Sequence, residues 1–391
     1  MKFQLIVIYL LAVILLSSAL PPIYTKTGSA FISYSTIILT VLLIVCRFKV
    51  VYKNHTLPLL LLISTLFFSS FLLYPQKIGF LFGTIAPFVL FASIKDSDYS
   101  YFKPLMFLLI SILFIDVLMS YYERITFSHI ITYSHKENEL MEEINSQVND
   151  QKMFRSIALF GHPLSNSNII AFSAFAMCFV LPISRFYKLL LLTLSVFSIL
   201  YCFASRGAAI VCAVLFVLGL LTEIGKMKLK HILLGGVIIY VVGQYLYLNI
   251  EELFPRFVDR GLEDDSSFVR IMTLQFYFSK SFGDLLGGGF ENPYGEIGII
   301  NILGWYGLIF GSVIVIIEFY FWWRMTDGLK LFQKIIVFLS FVVIANMNNN
   351  MSYNEIPAMY SLSMIFIKQY WLIRYKKKEN KLNKIHLCFT R

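Results

Sequence analysis

Charge is scarce in this sequence: Asp, Glu, Lys and Arg make up 14% of its 391 residues, against roughly 25% in ordinary soluble proteins. Cysteine is scarce as well, with only Cys46, Cys178, Cys202, Cys212 and Cys388. Four of these lie in or at the edge of apolar runs, the fifth is in a basic tail, and none forms a CxxC pair. That spacing excludes a disulfide framework and a zinc site. There is no nucleotide-binding glycine loop and no convincing internal repeat, so no cofactor is expected. The first apolar run, 3–20, has a basic start like a signal peptide. It has no small-x-small cleavage site and Pro21-Pro22 follows directly, so an uncleaved first helix is expected.

What is abundant is apolar side chain, at 58%. A soluble fold of this size could not hide so much, because its surface needs polar cover; a lipid-facing surface does not. The formal net charge of +10 is spread in short clusters between apolar runs rather than along one face, which argues against nucleic acid. The tail 374–391, with Arg374-Tyr375-Lys376-Lys377-Lys378, reads as a cytoplasmic anchor in contact with anionic membrane lipids.

A bilayer core about 30 Å thick takes about 20 apolar residues per helix. The qualifying runs are 3–20, 29–46, 56–74, 78–94, 104–120, 167–184, 187–204, 207–224, 231–248, 296–323, 331–347 and 356–373. The expected fold is therefore an all-α polytopic membrane protein, a single integral-membrane domain over 1–391 with about twelve transmembrane helices. The run 296–323 is long enough to tilt or to begin outside the hydrocarbon.

Positive charge in short loops sets the orientation. With the N-terminus in the cytoplasm, inside loops hold Arg47, Lys49 and Lys53; Lys95 and Lys103; Arg185 and Lys188; Lys226, Lys228 and Lys230; and Arg324, Lys330 and Lys334. Short outside loops hold only Lys26, Lys77 and Arg206. Both termini are then cytoplasmic, and two large segments, about 121–166 and 249–295, are periplasmic. Loops this long carry function or are disordered. In the first, Leu140, Ile144 and Val148 recur every four residues among glutamates, which predicts an amphipathic helix on the membrane face.

Three constellations could carry chemistry. Arg155-Ser156-Ile157-Ala158-Leu159-Phe160-Gly161-His162-Pro163 puts a cation and a titratable ring just before the sixth run. Its plain alternative is a helix-entry turn. Ser205-Arg206-Gly207-Ala208 holds an arginine between two apolar helices, either snorkelling to headgroups or forming an anion-binding fork. The second large segment carries Arg256, Arg260, Asp264, Asp265 and Arg270, then Leu286-Gly287-Gly288-Gly289-Phe290-Glu291-Asn292-Pro293. Taken alone, the glycine triplet reads as a flexible turn. Glu291 and Glu296 near the next helix are candidate bases, with solvated loop charges as the plain reading. Asp116 and Glu318 fall inside apolar runs, where interhelical pairing is expected of them. Arg124 and Arg256 read as surface or headgroup contacts. The turn with Asn346, Asn348, Asn349, Asn350 and Asn354 offers amides of the kind that bind sugar hydroxyls.

In their order and topology, Arg155…Gly161-His162-Pro163, Ser205-Arg206-Gly207 and Arg270…Gly287-Gly288-Gly289 resemble the O-antigen polymerase–ligase superfamily. Within it the match is to Wzy-type polysaccharide repeat-unit polymerases. The likeness covers about Arg155 to the tenth run in motif detail; the first five runs are similar only in hydropathy. It implies a glycosyltransferase that joins undecaprenyl-diphosphate-linked oligosaccharide units at the outer face of the bacterial inner membrane, without metal or nucleotide, together with a chain-length regulator as partner.

By that resemblance Arg206 and Arg270 would hold the lipid diphosphate, with Arg155, Arg260 and Asn292 as further diphosphate or sugar contacts. Ligase-type members carry a histidine at the outer entrance of the helix after the large loop. Here that stretch reads Phe290-Glu291-Asn292-Pro293-Tyr294, which favours a polymerase and leaves the base among Glu291, Glu296 and His162. The rivals are a ligase of the same superfamily and a lipid-linked oligosaccharide flippase.

Overall fold

The computed structural model describes residues 24–27, 30–33, 57–73, 80–94, 99–130, 154–160, 163–180, 184–224, 265–291, 297–347 and 359–370, with isolated residues elsewhere. The described chain is mostly helical. Its helices are α1 (Leu57–Leu72), α2 (Phe80–Ser93), α3 (Tyr99–Thr126), α4 (Pro163–Val180), α5 (Arg185–Phe203) and α6 (Arg206–Ile224). They continue with α7 (Asp265–Phe278), α8 (Phe282–Gly287), α9 (Gly298–Met325), α10 (Leu331–Met347) and α11 (359–370). One antiparallel hairpin, β1 (Tyr24–Thr27) and β2 (Ala30–Ser33), pairs Tyr24 with Ser33 and Thr27 with Ala30. It occupies the start of the run 29–46 that the sequence assigns to a helix. The runs 3–20 and nearly all of 231–248, the 137–148 helix, and the basic tail lie outside the described residues.

Among the described residues, two helices are long and apolar enough to cross a membrane, Phe186–Phe203 and Gly298–Gly328; Leu57–Leu72 and Leu331–Asn346 are shorter apolar helices. Large side chains stand exposed on several helices: Phe107, Phe114 and Leu118 on α3, Leu194 on α5, and Ile309 and Ile316 on α9. Contiguous apolar surface of this kind suits lipid rather than water.

The sixth apolar run begins four residues earlier than expected, because α4 starts at Pro163. Proline fits the first helical position, where no intrahelical amide bond is lost. Hydropathy misses that start because Ser165, Asn166, Ser167 and Asn168 are polar, yet all four are buried. α4 is the central helix, closed in from Asn166 to Met177 and packed on both α5 and α6. An aromatic stack ties its far side to the C-terminal helices. Phe172 meets Phe341 at 5.7 Å, Phe341 stacks on Tyr360 at 3.8 Å, Trp322 meets Phe341 at 4.8 Å, and Phe88 stacks on Phe321 at 4.8 Å. Within a bilayer such packing, rather than escape from water, holds helices together.

α9 is not one rod. Gly307 has φ 72° and ψ 167°, which breaks it into arms 298–306 and 308–325. A Cβ placed on Gly311 would lie 3.0 Å from the Leu303 Cα, although eight residues of straight helix would separate them by about 12 Å. The first arm therefore folds sharply back, and the second, at about 27 Å, is alone close to the thickness of a bilayer core. The long apolar run is a broken helix.

Candidate functional site

One face of α3 presents Asp116, Ser120, Glu123 and Arg124, spaced a helical turn apart, to the segment 154–160. All four are buried. The Glu123 carboxylate accepts from the backbone amides of Ile130 (3.0 Å), Ile157 (2.9 Å) and Ala158 (3.1 Å). Asp116 Oδ1 accepts from the Leu159 amide at 3.0 Å, and the Ser156 hydroxyl donates to the Ser120 carbonyl at 2.7 Å. Arg124 Nη1 donates to the Phe154 carbonyl at 2.9 Å, and its guanidinium lies 5.5 Å from the Tyr201 ring centroid. From α4, Asn166 Nδ2 donates to the Ile157 carbonyl at 2.6 Å. This network holds Ala158 at φ 38°, a left-handed conformation that costs a residue with a side chain.

These contacts correct three expectations. Asp116 holds backbone amide rather than a charged partner. Arg124 is buried, not a headgroup contact. The helix also runs on to Thr126, past the boundary expected at 121, because Glu123 and Arg124 find partners inside the protein instead of needing water. Glu318, the other expected interhelical pair, is buried on α9, and neither carboxylate oxygen has a hydrogen-bond partner among the described residues.

The same segment joins two constellations that lie far apart in sequence. Arg155 Nε donates to the Phe203 carbonyl at 2.8 Å, and the Ser156 amide donates to the Cys202 carbonyl at 2.9 Å. α5 then ends at Ala204 in a left-handed turn, and Arg206 opens α6. Arg155 is thus anchored at the turn that carries Arg206. His162, one residue before α4, lies outside the described residues, as do Glu296, Asn292 and Arg260.

The third constellation lies on α7, α8 and the break in α9. Arg270 is half-buried on α7, where Thr273 and Tyr277 are buried one and two turns on. Burial pushes the Tyr277 hydroxyl above its ordinary value. Ser281 caps α8 by accepting from the Asp284 amide at 3.2 Å. The glycine triplet then docks on the α9 break, with Gly289 donating to the Trp305 carbonyl at 3.0 Å and Phe290 to the Gly304 carbonyl at 3.3 Å. These bonds satisfy carbonyls that the break frees. Gly288 (φ 69°) has the Gly307 nitrogen 2.3 Å from where its Cβ would stand, and Gly307 has the Leu286 carbonyl oxygen at 2.4 Å. The triplet is a backbone-to-backbone joint, not a flexible turn. Gly288→Ala is therefore expected to lower the folded yield sharply, with a control such as Gly287→Ala, where the added Cβ meets nothing within 4 Å, behaving as wild type. Size-exclusion profiles of detergent extracts measure this.

Glu291 follows the joint and is exposed. Asn346 spends both ends of its amide structurally: it accepts from the Ile299 amide at 3.0 Å and donates to the Val342 carbonyl at 2.8 Å, tying α10 to the start of α9. The other asparagines of that turn lie outside the described residues.

No protein-family model, no curated protein and no solved structure matches this chain. Glu123, Arg124 and Asn166 are the site members that reading the sequence for charge at helix mouths misses. The spacing of Asp116, Ser120 and Glu123 on one helical face signals Glu123, and nothing comparable signals Asn166.

Proposed function

We propose that this chain is a polytopic inner-membrane polymerase that joins undecaprenyl-diphosphate-linked oligosaccharide units at the periplasmic face. In this reading about twelve helices span the membrane and both termini are cytoplasmic. The observation that carries it is the joining of Arg155 to the Ser205-Arg206 turn, which gathers two of the three arginine motifs at one helix mouth. Guanidinium groups match phosphate oxygens bidentately, so Arg206 and Arg270 serve as the diphosphate clamp. Their charge steadies the departing diphosphate while the glycosidic bond breaks. Arg155 Nε is committed to a backbone carbonyl, which makes it a brace for the mouth. Glu291, exposed beside the joint, is one candidate to take the acceptor hydroxyl's proton; Glu296 and His162 are the others.

One observation favours a flippase: broken helices line transporter sites at the bilayer midplane, and α9 is broken. In transporters, however, the freed backbone groups face the substrate. Here the Gly304 and Trp305 carbonyls are occupied by Phe290 and Gly289 amides from the adjoining segment. The break thus seats that segment, which agrees better with chemistry at the outer surface.

Deleting the gene is expected to leave surface polysaccharide capped with a single repeat unit, because flipping and transfer of one unit need no polymerase. Gel analysis of the polysaccharide reads this directly. A bare acceptor, restored by the gene in trans, would point instead to a ligase or flippase.

A further inference from the structure

We propose that α7 lies in the membrane plane, with Phe268, Ile271, Leu274 and Phe278 inserted among the lipids of the outer leaflet. These four side chains recur at three- and four-residue intervals and so form one stripe. Phe268 is 62%, Ile271 54% and Phe278 72% exposed, and Phe282 at the start of α8 continues the stripe at 70%. The opposite face is closed against the protein, with Thr273 at 0% and Tyr277 at 3%. α7 is also less apolar overall than α2 to α6, α9 and α10. Low overall hydrophobicity with the exposed apolar residues gathered in one stripe marks a helix that lies on a bilayer rather than across it.

The surroundings of α7 identify the occupant of that face. The glycine joint that follows α8 places Gly289 against the carbonyl of Leu73, at the end of α1. There α1 exposes Phe67, Phe68, Phe71 and Leu72, so the segment that follows α8 meets exposed apolar surface on a helix that is itself apolar along its length. A lipid boundary continuous over both elements covers both. Lys280, just past α7, folds its ammonium over the rings of Phe276 (4.3 Å) and Phe290 (5.5 Å), which holds a cation at the polar edge where headgroup phosphates lie. Arg270 flanks the buried face, so an in-plane α7 sets its guanidinium at headgroup depth on the protein side. Only that last consequence bears on the polymerase reading; the lipid contact itself rests on the chain being membrane-embedded.

The test uses full-length protein with its native cysteines replaced and a single environment-sensitive fluorophore at Ile271→Cys, Phe278→Cys, Asp284→Cys or Phe114→Cys. Each is reconstituted in phosphatidylethanolamine–phosphatidylglycerol vesicles. Quenching by a nitroxide on the upper acyl chain is compared with quenching by iodide. Labels at 271 and 278 are expected to be quenched several-fold more by the lipid nitroxide, as is the label at 114 on α3, while the exposed polar position 284 shows the reverse. Iodide quenching at 271 and 278, with lipid quenching kept at 114, would place the stripe in water and overturn the proposal. Protection from both quenchers would show a protein cover and overturn it equally. Iodide quenching at 114 as well would instead sink the membrane reading of α3.

Discussion

Glu123→Ala is expected to unfold the segment 154–160 and to cost the protein most of its stable yield. The carboxylate accepts three backbone amides, from Ile130, Ile157 and Ala158, at a fully buried position. Leaving a buried donor unsatisfied costs about 1–3 kcal/mol, so three orphaned amides together cost at least about 3 kcal/mol, a large part of a typical stability. Glu123→Gln keeps one acceptor oxygen but turns the other position into a donor facing amides, so it should fall between wild type and alanine. Arg124→Ala frees the Phe154 carbonyl and empties the space beside Tyr201, and it should also destabilise. Thermal unfolding in detergent, followed by the fluorescence-detected monodisperse fraction, gives the ranking. A Glu123→Ala protein as stable as wild type would show that the segment is held by something other than this carboxylate.

Arg206→Ala and Arg270→Ala are expected to abolish long polysaccharide chains while the proteins still insert and accumulate. Neither residue is one of the carboxylate network just described: Arg206 is the opening residue of α6 and Arg270 is half-buried on α7. A charge-assisted contact to phosphate contributes roughly 1.5–3 kcal/mol to binding. Where charge gathers on a leaving group, losing one donor can slow the reaction about 100- to 1,000-fold. Lysine at either position keeps the charge without the planar fork, so chains of reduced length are the expected result. Arg155→Lys should act differently, loosening the tie to the Phe203 carbonyl and lowering stability along with activity. Chain-length profiles at matched protein levels separate these cases. Wild-type chains from both Arg206→Ala and Arg270→Ala would remove the clamp.

Helices were legible in the sequence wherever a run was uniformly apolar: α5, α6 and α10 begin and end within two residues of the runs 187–204, 207–224 and 331–347. Boundaries shifted where polar residues are buried, at the C-terminal end of α3 and the N-terminal end of α4, because hydropathy counts Glu123 or Asn166 as water-seeking. Glu123 is satisfied by backbone amides some thirty residues away and Asn166 by the Ile157 carbonyl beyond a turn, which no local window contains. The break in α9 was hidden for the opposite reason. Gly307 sits in an unbroken apolar run, and the run's hydropathy carries no trace of the positive φ that the glycine joint imposes on it. Of the candidate site, the three motifs were visible as motifs. That Arg155 reaches the turn before Arg206 was not, since it needs the antiparallel pairing of α5 with α6 around the 154–160 segment.

Purified protein in vesicles, given undecaprenyl-diphosphate-linked repeat units on the side facing the 249–295 segment, puts the polymerase assignment to its most direct trial. A polymerase yields a ladder of products differing by one repeat unit, with one lipid diphosphate released per linkage and no requirement for nucleotide. Passage of intact lipid-linked units across the membrane with no ladder would contradict it and make the chain a transporter.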